Sequence, residues 1–202
     1  MKYVYLVWKN LWRKKTRTIL TILSIFVAFI LYGLLGALQF AFTSGAELAN
    51  AKRLVVIHKI SLIQPLPISY LERIRQTPGV ADVTHANWFG GYYQDPRNQF
   101  PQFPVAADSY LAIYPEIVLD DDERSRWLGN RTGAIVGRAV ADRYGFEVGD
   151  RIPIQATIFP QRDGSRTWEF EIDGIFDTDD PRGNTAYMLF HYDYFDEARA
   201  FG

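Results

Sequence analysis

The chain has 202 residues and no cysteine, which is enough for one membrane segment plus one domain with its own core and excludes disulfides, thiolate nucleophiles and cysteine metal sites. Its formal net charge of -1 conceals a segregation: residues 1–18 hold six cations and no acid, while the remainder holds all 23 acidic residues against 16 basic ones. A basic head and an acidic body separated by an apolar bar is a membrane-topology pattern and speaks against nucleic acid as a partner.

Reading from the N-terminus, Val4, Val7, Trp8, Leu11 and Trp12 recur at the spacing of one helix face, with Lys2, Lys9, Asn10 and Arg13 elsewhere round the wheel. This predicts a short amphipathic helix over residues 1–17, lying in the cytoplasmic interface. Trp8 and Trp12 then sit at headgroup depth, and Arg13, Lys14, Lys15 and Arg17 contact membrane lipid.

Residues 18–45 contain no charge, and within 19–42 only Thr21, Ser24 and Gln39 are clearly polar. At 1.5 Å per residue those 24 residues make a helix of about 36 Å, enough to cross a hydrocarbon core of about 30 Å with some tilt. A core helix of a soluble domain would show a polar face at a 3.6 period, and this segment shows none. Ala49-Asn50-Ala51 has the form of a signal-peptide cleavage site. The apolar run is much longer than a signal-peptide core, so an uncleaved anchor is expected. The cationic flank before the span places the N-terminus in the cytoplasm and the body outside. Gly33 and Ala37 form a small-xxx-small pair at which another helix could pack closely.

From residue 46 onward the pattern is that of a mixed α/β domain. Residues 54–58 read as a short strand, extended by 60–63 and broken by Pro65 and Pro67. Ile68, Leu71 and Ile74 predict a helix over 68–76 that stops at Thr77-Pro78-Gly79. Residues 80–89 read as a strand ending at Gly90-Gly91, and 92–104 as an irregular excursion with three prolines. A helix capped by Asp108 and a charged helix over 120–128 follow. Then come a strand over 134–136, a turn at Gly137, a helix over 138–144 with Gly145 as its C-cap, and a Val148-Gly149-Asp150 turn into a strand from Ile152. That strand is expected to pair with 166–172 through a type I′ turn at Asp163-Gly164. There Trp168, Phe170 and Ile172 alternate with Thr167, Glu169 and Glu171, so one face is buried. A strand over 185–190 and a helix over 192–201 close the chain. The expected fold class is therefore α+β (mixed): one transmembrane helix (18–45) followed by an extracytoplasmic mixed α/β domain (46–202).

No P-loop, G-x-S-x-G or H-E-x-x-H motif occurs, and no catalytic, cofactor-binding or metal-binding residue is expected. His58, His85 and His191 lie far apart without an i+4 partner. Asp120, Asp121, Asp122 and Glu123 suit a helix N-terminus, and Asp177, Asp179 and Asp180 fail the calcium-loop spacing, so both clusters read as solvated. Asn130-Arg131-Thr132 is a glycosylation triplet. The aromatic-rich stretch 88–103 is either a contact surface or, preferably, a packed loop.

Four stretches resemble one family, the FtsX-like permeases of ABC transporters with a MacB-type periplasmic core domain. "NLWRKKTRTILTILSIFVAF" resembles that family's entry into its first membrane helix. "PISYLERIRQTPGVADVT", "AIVGRAVADRYGFEVGDRIPI" and "FEIDGIFDTD" resemble successive passages of its core domain. The resemblance implies an inner-membrane permease subunit without ATPase activity or cofactor. It would pair with a separate ABC ATPase subunit and a second permease as homo- or heterodimer, and transmit ATP-driven motion to the periplasmic domain to move a cargo the sequence does not name. The family continues into three more membrane helices, so the expectation is either a portion of a four-helix permease or a one-span relative. The alternative is a single-span scaffold whose outer domain holds a partner.

Overall fold

A computed structural model of the chain describes residues 14–47, 53–61, 63–180 and 183–201. The chain divides into two compact units, Met1–Val56 and Ile57–Gly202. The expectations for Trp8, Trp12 and Arg13, and for the amphipathic segment that carries them, lie outside the described residues.

The first unit contains one long helix, α1 (Lys15–Glu47). No proline interrupts it, and its many isoleucine, leucine and phenylalanine side chains make it helical where its surroundings are apolar. Its few polar side chains turn inward on the backbone: the Thr21 hydroxyl donates to the Arg17 carbonyl at 2.9 Å. That leaves the Thr21 hydroxyl hydrogen in no need of water, which suits a helix in hydrocarbon.

The second unit begins with α2 (Ser69–Arg75), which buries none of its residues and ends in a turn at Gly79, φ +92°. It continues with β1 (Gly91–Tyr93), β2 (Gln102–Val105), α3 (Ala107–Ile113), β3 (Ile117–Val118), α4 (Asp121–Gly129), β4 (Gly133–Gly137) and α5 (Arg138–Tyr144). β5 (Arg151–Ala156), β6 (Thr167–Thr178), β7 (Met188–His191) and α6 (Tyr192–Ala198) complete it. The strands form a curled mixed sheet in the order β1-β5-β6-β4-β7-β2, with β3 pairing to the far end of β6. β6 is antiparallel to β5 and parallel to β4, and β7 is antiparallel to β4 and parallel to β2.

Helices cover both faces of this sheet. On one face Ala134, Val136, Ile152, Ile154, Trp168, Phe170, Met188 and Phe190 pack with Val140 of α5 and Phe195 of α6. On the other, Ile135 and Leu189 pack with Leu111 of α3 and Trp127 of α4. β6 serves both cores because it changes face midway. Its partners on β4 step from Ile172↔Ala134 to Gly174↔Ile135, leaving Asp173 as an extra residue. Such a bulge inverts the alternation beyond it. Trp168, Phe170 and Ile172 therefore point into the first core and Phe176 into the second.

Several expectations are corrected. Among the described residues, 54–58, 60, 61 and 63 form no strand. They have no sheet partner, so their β-branched run stays extended and exposed. Residues 80–89 form only an isolated bridge, Ala86↔Val105, and the first regular strand starts at Gly91, where the expected one ended. The stretch 92–104 is ordered: it supplies β1 and β2, joined by a tight turn in which Asn98 donates to the Asp95 carbonyl. Asp108 does not cap α3. It lies in the first turn, and the N-cap position is Ala106, without a side-chain bond. The β5–β6 hairpin forms, but its register, Ile152↔Phe170 and Ile154↔Trp168, is not the one a two-residue turn at Asp163-Gly164 would set, because its connection runs from 157 to 166. Only Gly164 takes a positive φ, whereas a type I′ turn needs two. The turn is instead closed by Gly164 donating to Gln161, with Ser165 donating to the Asp163 side chain.

The helix over 138–144, its left-handed cap at Gly145 (φ +70°) and the charged helix near 120–128 form as expected. In the last of these the Asp120 side chain accepts from the Asp122 amide at 3.0 Å.

Candidate functional site

Two features of the described residues bear on function: the exposed helix α1 and a polar cleft in the body. Residues Lys15–Ala37 are long and apolar enough to cross a membrane, and none of that stretch is buried. Ile19, Phe29 and Leu35 are each more than three-fifths exposed. Transferring side chains of this size out of water is worth about 1.5–3 kcal/mol each, so the helix in water would pay a large penalty that a bilayer removes. Lys14, Lys15 and Arg17 are exposed at its start. No described atom lies within 4 Å of where a Gly33 side chain would begin, and Ala37 is exposed as well, so that small-residue face is uncovered.

The cleft, of about 630 Å³, opens where β2 and β7 end and α3 and α6 begin. Because these two strands are parallel, both deliver the chain to the same edge of the sheet. This is the position at which open α/β sheets usually hold ligands. Its wall is acidic: Asp108 from α3 and Asp193, Asp196 and Glu197 from α6, with Leu128 and Gly129 completing it. Arg131 reaches across to pair with Glu197, and Arg199 pairs with Asp196. The Ser109 hydroxyl is committed to Thr84, 2.8 Å away, and the His191 Nε2 lies 2.7 Å from the Trp127 carbonyl oxygen. The arrangement suits a cationic or hydrogen-bonding surface more than a nucleophile with its base, since neither hydroxyl nor imidazole is directed at the other.

His85 packs edge-on against Tyr192, with centroids 4.4 Å apart, and both its ring nitrogens are enclosed without a hydrogen-bond partner. Burial holds its pKa below the usual imidazole value, and the nearby Asp193 and Asp196 carboxylates partly oppose that. Burial likewise pushes the Tyr192 phenol up.

Behind the cleft lies Asp173, 1 % exposed at the bulge of β6. Its Oδ1 accepts from Asn130 at 3.1 Å, its Oδ2 has no partner, and the Arg126 guanidinium donates to its carbonyl at 2.9 Å. Burial raises its pKa, against the lowering effect of the Asn130 bond. A side chain at Gly133 would begin 1.7 Å from Asp173 Oδ2, which explains why no larger residue fits there.

The acidic clusters read from the sequence have structural partners. Glu123 does more than favour the helix dipole: its Oε2 accepts from the Ile175 amide at 3.1 Å, tying α4 to β6 just past the bulge. Asp177 pairs with Arg138 at 3.1 Å. Among the described residues, no three His, Asp or Glu side chains gather as a metal site. Asn130 of the glycosylation triplet is engaged by Asp173 and Thr132. The aromatic stretch is packed: Phe89 is fully buried and edge-on to Trp168, Phe170, Phe190 and Phe195. The cleft itself was not anticipated. Its signal is present twice, as a strand running directly into a helix with aspartate in the first turn, at Ala107-Asp108 and Tyr192-Asp193.

No family model matches this sequence, and no curated protein matches it. Among solved structures, it is similar to a Porphyromonas gingivalis chain described as "a domain of a putative Permease protein". The identity is 17 %, the TM-score 0.40, and the match covers 60 % of this chain and half of that one.

Proposed function

We propose that this chain is the N-terminal anchor and extracytoplasmic core of an ABC-transporter permease subunit of the MacB or lipoprotein-release type. It works in a bacterial inner membrane as a mechanical rather than a catalytic part. The observation that carries the reading is an uncovered helix of spanning length placed ahead of a mixed α/β domain, in the order of the four family-like stretches. Those stretches coincide with structural units. The basic entry sequence opens α1, the Pro-Gly-Val passage closes α2, the Gly and Val-Gly-Asp passage makes β4, α5 and β5, and the last makes β6 with its bulge.

On this reading the cationic flank keeps the N-terminus in the cytoplasm, and α1 carries motion driven by a separate ATPase subunit to the outer domain. A second permease packs beside it, with Gly33 and Ala37 at the helix contact. Cargo is exported or extracted from the membrane without chemical change. The test is affinity purification of the full-length gene product from membranes. A P-loop ATPase in fixed stoichiometry is expected, and a monomer without such a partner overturns the proposal.

The acidic cleft favours a second reading, a membrane-anchored scaffold that holds a basic partner. It predicts a soluble basic protein in that purification instead of an ATPase.

A further inference from the structure

Leu54, Val55, Val56 and Ile57 are 91, 72, 56 and 54 % exposed, and Ile60, Ile63 and Ile68 are about half exposed or more. Seven large apolar side chains within fifteen residues are thus left in water, outside both cores of the body. We infer that residues 53–61 and 63–68 are a second membrane-contacting element, lying along the lipid headgroup region.

Tether length, charge and the backbone support this occupant. Leu54 is seven residues past Glu47, the end of α1, so the chain holds it within about 25 Å of that point. From Leu48 to Leu71 the sequence has no acid and three cations, Lys52, Arg53 and Lys59. From Glu72 onward it has 22 acids against 13 bases. An acid-free cationic apolar stretch complements anionic lipid, whereas the acidic remainder is repelled by it. An extended segment also keeps its amide groups hydrated at headgroup depth, which hydrocarbon would not permit. The two ends of the strand order, β1 and β2, already carry hydrogen bonds of their own. The outer side of β2 accepts from the Asn87 and Phe89 amides, and on β1 the Tyr93 amide donates to the Asn98 carbonyl of the turn.

The inference rests on α1 spanning the bilayer, not on the transporter assignment. The test uses the cysteine-free chain, full length, in nanodiscs of phosphatidylglycerol and phosphatidylcholine. Single variants Val55→Cys, Ile57→Cys, Ile25→Cys and Asp142→Cys carry an environment-sensitive fluorophore. All four positions are exposed, and emission from the buried Trp127 and Trp168 confirms that the body is folded.

Probes at Val55 and Ile57 are expected to be quenched by headgroup-proximal nitroxide lipid and shielded from iodide, unlike the probe at Asp142. Combining Arg53→Glu with Lys59→Glu should weaken that lipid quenching severalfold at low salt. A probe at Val55 as open to iodide as that at Asp142 overturns the inference. So does one shielded from both quenchers, which would show that a second copy or another protein covers the segment. Quenching at Ile25 by mid-chain nitroxide lipid separates the failures: a quenched Ile25 beside an unquenched Val55 sinks the surface contact alone. A silent Ile25 sinks the span with it.

Discussion

The two units of this chain treat apolar side chains in opposite ways. In α1 they point outward all round, as with Phe29 and Leu34, and the backbone satisfies itself turn by turn. In the body Phe89, Trp168 and Phe195 are fully buried, and backbone satisfaction depends on strands far apart in sequence. The lesson is that α1 is stable only where its solvent is apolar, whereas the body carries its own apolar solvent inside it.

Four changes would break or sharpen that contrast, beginning with the largest effect. Placing arginine at both Phe26 and Phe29 should oppose membrane insertion by about 5–7 kcal/mol and release the protein on alkaline carbonate extraction. The tryptophan emission of the body should stay native in the same variant. Trp168→Ala should do the reverse. It removes packing on Phe89, Phe170 and Phe195 and the indole bond to the Phe159 carbonyl, 2.9 Å away. It should cost about 3–5 kcal/mol in urea unfolding monitored by circular dichroism, with extraction behaviour unchanged.

Asp173→Asn tests the buried carboxyl. A folded-state pKa above the unfolded one means that the stability contributed is full at low pH and is lost as pH rises through the window between them. The variant, which cannot ionise, should be more stable than the wild type by about 1 kcal/mol at pH 7, with no advantage below about pH 4. Urea midpoints at pH 4, 5.5 and 7 measure this.

The smallest effect belongs to His85, whose lowered pKa makes the wild type lose stability as pH falls below about 6.5. Partial solvent access keeps that loss under about 1 kcal/mol between pH 7 and 5. His85→Phe should flatten the slope of the thermal midpoint over that range. An unchanged slope would mean that the imidazole is not the group responsible.

Local signals were legible in the sequence and long-range ones were not. The Gly145 cap, the charged helix near 120–128, the helix over 138–144 and the alternation of Trp168, Phe170 and Ile172 each depend on neighbours within a few residues. Residues 54–58 misled because β-branched composition reports a tendency to extend, not the presence of a partner strand. Residues 92–104 misled in the other direction: three prolines suggested irregularity, yet Pro104 sits in the edge strand β2, where a missing donor is tolerated. The bulge at Asp173 has no local signature, and the two strand-to-helix passages that flank the cleft do not reveal that they lie side by side, because both features arise from a register between distant segments.

The pairing of β2 with β7 also sets a timetable for biosynthesis. Residues 102–105 are made first, and 188–191, against which they align, only some 80 residues later. At 5–20 residues per second the ribosome needs roughly 4–16 s to supply them. Only near the end of that interval can β6 close on β4 and β5 on β6, and one margin of the nascent sheet still stays open. A chaperone or a tethering bilayer that guards β2 during those seconds would raise the yield of native protein without altering its final stability.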